Sequence, residues 1–255
     1  ARALETLKQA DFVAAEDTRV TQKLLSHYAL NKAMISYHDH NKVKAGSVIL
    51  ERLKEGKSVA LVSDAGTPGI SDPGYHIIAE ALQHNITIIP IPGPSALITA
   101  LSVSGLPTNN FLFDGFLPQK ESELVNYLES IKNERRTLVF YESPHRLKHA
   151  LQFIQKALGD RRICIARELT KMFEEFFRGT VAQAVARFDQ IVPRGEFVLI
   201  VDGNTIVHKA DVDDLLPLLK DLLAAKVSKK DIAKIVSAHY PVAKNTVYEK
   251  LLTLN

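Results

Sequence analysis

The chain has no tryptophan, one cysteine and two methionines in 255 residues. With Cys164 alone, no disulfide can form within the chain, which fits a reducing compartment. No apolar run approaches the ~20 residues that a membrane-spanning helix needs, and no secretory signal is visible. A cytoplasmic protein without a membrane partner is expected. No G-x-G-x-x-G turn is present, which excludes a Rossmann-type dinucleotide site. Gly56-Lys57-Ser58 imitates the end of a phosphate-binding P-loop, but residue 51 is Glu rather than Gly, and the segment leads into a strand, not a helix. Metal ligands are equally sparse. His38-Asp39-His40 is the one tight cluster of ligand-type residues, and in extended chain His38 and His40 share a side. No third ligand accompanies them, so no metal is expected and the pair is read as structural or substrate-facing.

What is present is an ordinary globular composition, 46% hydrophobic and 24% charged. The net charge of +3 is unevenly placed: Lys226 to Asn255 carries six Lys against Asp231 and Glu249, and the rest of the chain is near neutral. A basic tail on a neutral body points to an anionic partner such as nucleic acid, although a solvated helical face has the same composition.

Apolar β-branched runs alternate with helical patterns through the first 200 residues. Strands are expected near Phe12–Ala15, Val59–Val62, Thr87–Ile89, Thr137–Tyr141, Ile163–Ala166 and Phe197–Val201. Helices are expected at Val43–Lys54, Tyr75–Gln83, Ser95–Ser102 and Arg146–Leu158. The alternation predicts α/β architecture with largely parallel sheets. Asp114-Gly115-Phe116-Leu117-Pro118 breaks the pattern midway and is read as the entry to a second α/β domain. The expected division is therefore 1–112, 113–204 and a helical tail over 210–255. In the tail, leucines from Leu215 to Leu223 form a stripe, Ser228 with Asp231 forms a capping box, and two further helices flank His239-Tyr240-Pro241 like a helix-turn-helix.

Two strand-to-loop junctions stand out, VALVSDAGTPGISDPG (Val59 to Gly74) and TIIPIPGPSALITAL (Thr87 to Leu101). Exposed loops at the carboxyl ends of strands are where open α/β sheets bind ligands. Ser63, Asp64, Ala65, Gly66 and Thr67 offer a carboxylate, hydroxyls and free backbone groups; Pro92, Gly93, Ser95 and Ala96 offer carbonyls, a hydroxyl and a helix start. Neither loop holds Lys or Arg. Together they suit a ligand with an amino acid moiety, a ribose and an adenine, and not a triphosphate.

Eight segments in order, AAEDTR, HDHN, LVSDAGTPGISDPG, PIPGPSALITALSVSGLP, FDGFLP, FYESPHR, ARELTK and RGEFVLIV, span most of residues 11–202. On these the chain resembles the tetrapyrrole methylase superfamily, and within it the branch that methylates small-subunit ribosomal RNA. The resemblance implies two α/β domains with a cofactor cleft between them and a small C-terminal helical extension. It implies S-adenosylmethionine as cofactor, a cytidine 2′-hydroxyl in the decoding region as target, and a homodimer acting on small-subunit rRNA or the assembled small subunit. Cofactor-facing residues would be Asp64, Ala65, Gly66, Ser95, Ala96, Phe140, Tyr141 and Leu169. A first strand with a Gly-Asn-Leu loop upstream of residue 1, and a longer basic loop after Pro118, would also belong to the pattern.

Methyl transfer to a ribose hydroxyl needs positioning and help in removing a proton. Charged residues gather at strand ends in AEDTR, YESPHR and ARELTK. Glu142 is expected as proton acceptor or its orienter, with Glu16 nearby and Arg19 and Arg146 holding phosphate. His38, His40, Arg167 and Lys171 are expected to meet the substrate. Each also has a plain structural use: Glu16, Asp17 and Arg19 as a helix cap, Glu142 and Arg146 as a four-apart pair, and Arg167, Glu168 and Lys171 as a surface network. Asp72-Pro73-Gly74 reads as a turn and helix start. A small-molecule methylase on the same scaffold and a non-catalytic nucleic-acid-binding protein are the alternatives.

Overall fold

Four consecutive apolar residues, Phe12–Ala15, form β1, the middle strand of a three-stranded sheet. The computed structural model describes residues 1–205 and 212–254, and in it β1 lies between β2 (Ala33–Ser36) and β3 (Val59–Val62), all parallel. Parallel strands are joined by helical crossovers that cover both faces, so the middle strand has no polar side. Val13 and Ala15 pack with Leu7 of α1 (Arg2–Gln9) and Leu25 of α2 (Thr18–His27). Phe12 and Ala14 pack with Ile49 of α3 (Lys42–Lys54) and Ile77 of α4 (Tyr75–Gln83).

A second sheet comprises β4 (Phe111–Phe116), β5 (Thr137–Glu142), β6 (Arg162–Arg167), β7 (Glu175–Thr180) and β8 (Phe197–Val201), in the order β4-β5-β8-β6-β7. One face is covered by α6 (Glu121–Ser130), α7 (Leu147–Leu158) and α8 (Val181–Asp189). The other face carries Val139, Cys164, Ala166, Val198 and Ile200, and is covered by α5 (Ala96–Ser102), the helix that follows the Pro92-Gly93-Pro94 turn. Both sheets belong to one compact unit, Ala1–Gly203.

Two expectations need correction. Only the first sheet is wholly parallel; in the second, β8 inserts between β5 and β6 and runs against both, and β7 returns antiparallel to β6. Thr87–Ile89 is not a strand. Its β-branched residues fit a pleated, half-buried surface, but no strand pairs with it among the described residues, and Ile89 is 64% exposed. The break at Asp114-Gly115 lies inside β4 of the second sheet, as an irregularity where the register to β5 shifts between Phe113 and Phe116 and Gly115 takes a φ of 62°.

The second unit, Asn204–Asn255, holds α9 (Leu216–Ala224), α10 (Lys229–His239) and α11 (Lys244–Thr253). Leu215, Leu219, Ile232, Val236, Val247 and Leu251 form its own core. Ser228 caps α10, accepting from the Asp231 amide at 3.1 Å. The expected tail boundary at residue 210 lies outside the described residues.

Candidate active site

Parallel pairing brings the carboxyl ends of β1, β2 and β3 to one edge, the edge where α/β sheets bind ligands. There the Asp17 amide donates to Asp64 Oδ1 at 3.1 Å, and the Asp64 amide donates to Glu16 Oε2 at 3.2 Å. Each carboxylate thus satisfies a backbone donor at the end of the neighbouring strand. Asp17 also caps α2, accepting from the Arg19 amide at 2.8 Å and from its guanidinium Nη2 at 2.6 Å. These bonds hold the Asp17 carboxyl down, to about 2. Arg19 itself stays 87% exposed. After β2, the His38 amide donates to Asn41 Oδ1 at 2.9 Å, and His38 Nδ1 is buried without a hydrogen-bond partner. The His38 and His40 rings are 6.0 Å apart, edge-on. Among the described residues no three His, Cys, Asp or Glu gather as a metal would require.

Asp64, Ala65 and Gly66 are exposed, as are Pro92 and Gly93. Thr67 ties the two loops, its hydroxyl donating to the Pro94 carbonyl at 2.9 Å. Ser95 caps α5 by accepting from the Ile98 amide. The preceding amide, that of Leu97, donates to the Tyr141 hydroxyl at 3.2 Å. Tyr141, Ala96 and Leu169 flank the same apolar cluster between α5 and the second sheet. The structure therefore brings together Asp64–Gly66, Pro92–Ala96, Tyr141 and Leu169, which come from four separate stretches of sequence.

Two expected residues, Phe140 and Glu142, point elsewhere. Strand alternation sends Phe140 and Glu142 to the opposite face from Tyr141. Phe140 is buried against α6, its ring 6.2 Å from that of Tyr127. Glu142 has no exposed side-chain surface; Oε1 accepts from the Ser143 amide at 2.7 Å, while Oε2 has no hydrogen bond and lies 3.6 Å from Arg146 Nη2. Burial pushes the Glu142 carboxyl up. Arg146 donates to the Leu117 carbonyl at 3.0 Å and the Pro118 carbonyl at 2.6 Å, so it pins the end of β4 to the start of α7. Arg167 donates to the Arg194 carbonyl at 2.7 Å and Glu175 at 3.3 Å. Lys171 bridges Glu168 and Glu196, both at 2.9 Å.

Asp72, read from the sequence as part of a turn and helix start, is a raised carboxyl near this edge. Burial pushes its carboxyl up to about 6, with Glu16, Asp64 and Glu196 adding repulsion and the Ser63 hydroxyl working against them. Its local pattern, Asp-Pro-Gly, signals only a turn; the neighbours that matter are up to 124 positions away in sequence and appear only on folding. A separate concavity lined by Ser104, Arg162, Arg178 and Gln183 lies at the opposite end of β6. Its arginines are engaged, Arg162 with Asp202 at 2.8 Å and Arg178 with the Val103 carbonyl at 2.7 Å.

Comparison with known proteins supplies the context. Residues 1–185 match the family model of the Tetrapyrrole (Corrin/Porphyrin) Methylases. Ribosomal RNA small subunit methyltransferase I of Halalkalibacterium halodurans is 46% identical over 97% of this chain and 87% of its own. The protein of that name from Escherichia coli O157:H7 is 43% identical over 98% and 88%. Among solved structures, the methyltransferase CobJ aligns with a TM-score of 0.59 at 18% identity, covering 80% of this chain and 87% of its own. Uroporphyrin-III C-methyl transferase from Thermus thermophilus, complexed with S-adenosyl homocysteine, aligns at 0.53 and 16%, covering 80% and 90%. At such identities the structural likeness speaks for the fold alone.

Proposed function

The chain belongs to the tetrapyrrole methylase family, and on that footing we propose that it methylates small-subunit ribosomal RNA at the 2′-hydroxyl of a cytidine ribose in the decoding region. The observation that carries the RNA reading is identity of 43–46% over nearly the whole chain, tail included, to proteins named for that substrate.

S-adenosylmethionine is the methyl donor, and the donor set of the site suits it. Asp64–Gly66 and Pro92–Ser95 offer a carboxylate, a hydroxyl and backbone groups with no Lys or Arg, which matches a cationic sulfonium amino acid joined to a nucleoside. Tyr141, Ala96 and Leu169 offer the apolar wall an adenine needs. When bound, the cofactor supplies a methyl group on a positively charged sulfur. The protein's own part is to hold the ribose in line and to receive its proton. Arg19, the most open cation of the edge, meets phosphate, and His38, His40, Arg167 and Lys171 line the approach. Glu142 and Arg146 act from behind: they fix the ends of β4 and β5, and Phe140 anchors β5 beneath Tyr141.

Residues 1–112 and 113–204 are read as the two halves around the cofactor, and the tail from 210 as an RNA anchor. Exposed apolar residues such as Tyr75, Leu82, Ile89 and Ile98 give a homodimer a surface to cover. No helix among the described residues is long and apolar enough to cross a membrane, and a cytoplasmic site of action fits an RNA substrate.

The test is transfer of labelled methyl from S-adenosylmethionine to small ribosomal subunits lacking the modification, with naked rRNA and a porphyrinoid in parallel. Label on a cytidine ribose is expected. Label on the porphyrinoid, or RNA binding without transfer, would overturn the reading.

A further inference from the structure

Asp72 stands where the edges of the two sheets meet. Glu16 follows β1, Asp64 follows β3, and Glu196 precedes β8; all three carboxylates act on Asp72, and Asp72 acts in turn on the Tyr141 hydroxyl of β5. The loop that carries it is tightly built. Ser71, its neighbour, has a φ of 61°. A Cβ on Gly74 would lie 2.7 Å from the Gly69 amide nitrogen, and one on Gly115 would lie 3.2 Å from Ser71 Oγ. A left-handed non-glycine residue is strained and persists only where its surroundings over-determine it. The result aims the carboxylate at the exposed loop: a Cβ on Gly66 would lie 3.9 Å from Asp72 Oδ2.

The other carboxylates at these edges are engaged. Glu16 and Asp64 accept the backbone amides already described, Asp17 holds Arg19, and Glu168 and Glu196 hold Lys171. Glu142 is sealed behind the sheet. Asp72 is in no ion pair among the described residues.

We propose that Asp72 is the catalytic residue that accepts the proton of the target hydroxyl. This rests on the reading of the site as an RNA ribose methyltransferase. The O–H bond breaks and its proton passes to a carboxylate oxygen of Asp72. The freed oxygen pair forms the bond to the methyl carbon, and the pair of the broken C–S bond stays on sulfur. Neutral Asp72 then returns the proton to water. A carboxyl lifted toward neutrality is still ionised at pH 7.5, yet holds a proton better than an ordinary carboxylate, which is the compromise general base catalysis favours. Burial lifts it first, Glu16, Asp64 and Glu196 add negative charge around it, and the Ser63 hydroxyl bonds to it.

The experiment compares wild type, Asp72→Asn, Asp72→Glu and Glu142→Gln on small subunits. Asp72→Asn should lower kcat by roughly 10²–10⁴-fold, with KM for both substrates and calorimetric affinity for S-adenosylhomocysteine within about threefold. Asp72→Glu should recover part of kcat and shift the acid limb of the pH profile, and Glu142→Gln should lose less than about tenfold. In ligand-free enzyme, the ¹³C-carboxyl signal that Asp72→Asn removes should titrate near pH 6. Equal kcat in wild type and Asp72→Asn, or a signal titrating near 4, overturns this inference alone. No transfer to RNA by the wild type overturns the reading beneath it.

Discussion

The raised carboxyl of Asp72 has a consequence for stability that needs no substrate. Its ordinary value is 3.8 and its folded value about 6. Between those limits the folded chain binds the proton and the unfolded chain does not, so stability falls as pH rises through that window and stays lower above it. A shift of that size corresponds to about 3 kcal/mol, and solvent at this half-buried position cuts it to roughly 1–2. Asp72→Asn is therefore expected to raise the denaturant midpoint at pH 8, with the gain vanishing near pH 4. A gain of equal size at both pH values would mean that the carboxylate is not strained by its neighbours. Glu142 is a second buried acid, its carboxyl pushed up by burial. Replacement by Gln keeps an acceptor for the Ser143 amide and removes a charge that burial disfavours. Stability should be kept or improved at neutral pH.

Gly195 controls one structural element, the connection between β6 and β7. Its φ is +88°, and a Cβ there would lie 2.5 Å from Glu168 Cγ. Glu168 and Thr170 themselves sit at φ of 47° and 66°, locked by the Glu168 bonds to Lys171 and to the Glu196 amide. Between them, Leu169 reaches the apolar wall of the site. Gly195→Ala should cost about 1–3 kcal/mol and weaken S-adenosylhomocysteine binding as Leu169 shifts. Lost stability with unchanged affinity would detach this loop from the cofactor. The sequence revealed elements of one kind and hid those of another. Phe12–Ala15, Val59–Val62, Thr137–Tyr141 and Phe197–Val201 are unbroken apolar runs, and each is a strand. Ala33–Ser36 and Glu175–Thr180 are edge strands with polar residues or short length, and only tertiary pairing defines them. Thr87–Ile89 has the composition of a strand and no partner. The site shows the same split. Asp64–Gly66 and Ser95 lie in loops whose pattern is visible in the sequence, and Tyr141 enters only through the resemblance, but the side of the sheet on which Glu142 falls, and the nearness of Asp72 to Glu196, follow from register and packing.

Positive charge is concentrated at the end of the second unit, and that local excess predicts how the tail holds RNA. Residues 226–255 carry six Lys against Asp231 and Glu249, while the rest of the chain is near neutral. Lys250 pairs with Asp213, and Lys229 donates to the Leu254 carbonyl. Lys226, Lys230, Lys234 and Lys244 are exposed. If each meets one phosphate, binding releases about four counterions, and for single-stranded RNA each contributes about −0.7 to the slope of log K against log salt. Replacing these four lysines by Gln in the full chain should therefore flatten the slope by roughly 3 and weaken subunit binding most at low salt. The tail core of Leu219, Ile232, Val236 and Val247 is untouched by these changes, and so is the site around Asp64 and Tyr141. S-adenosylhomocysteine affinity should stay the same, and kcat at saturating subunit should stay within a few-fold. An unchanged salt slope would show that the basic tail does not meet phosphate. A fall in kcat with KM unchanged would place the lysines in positioning rather than capture.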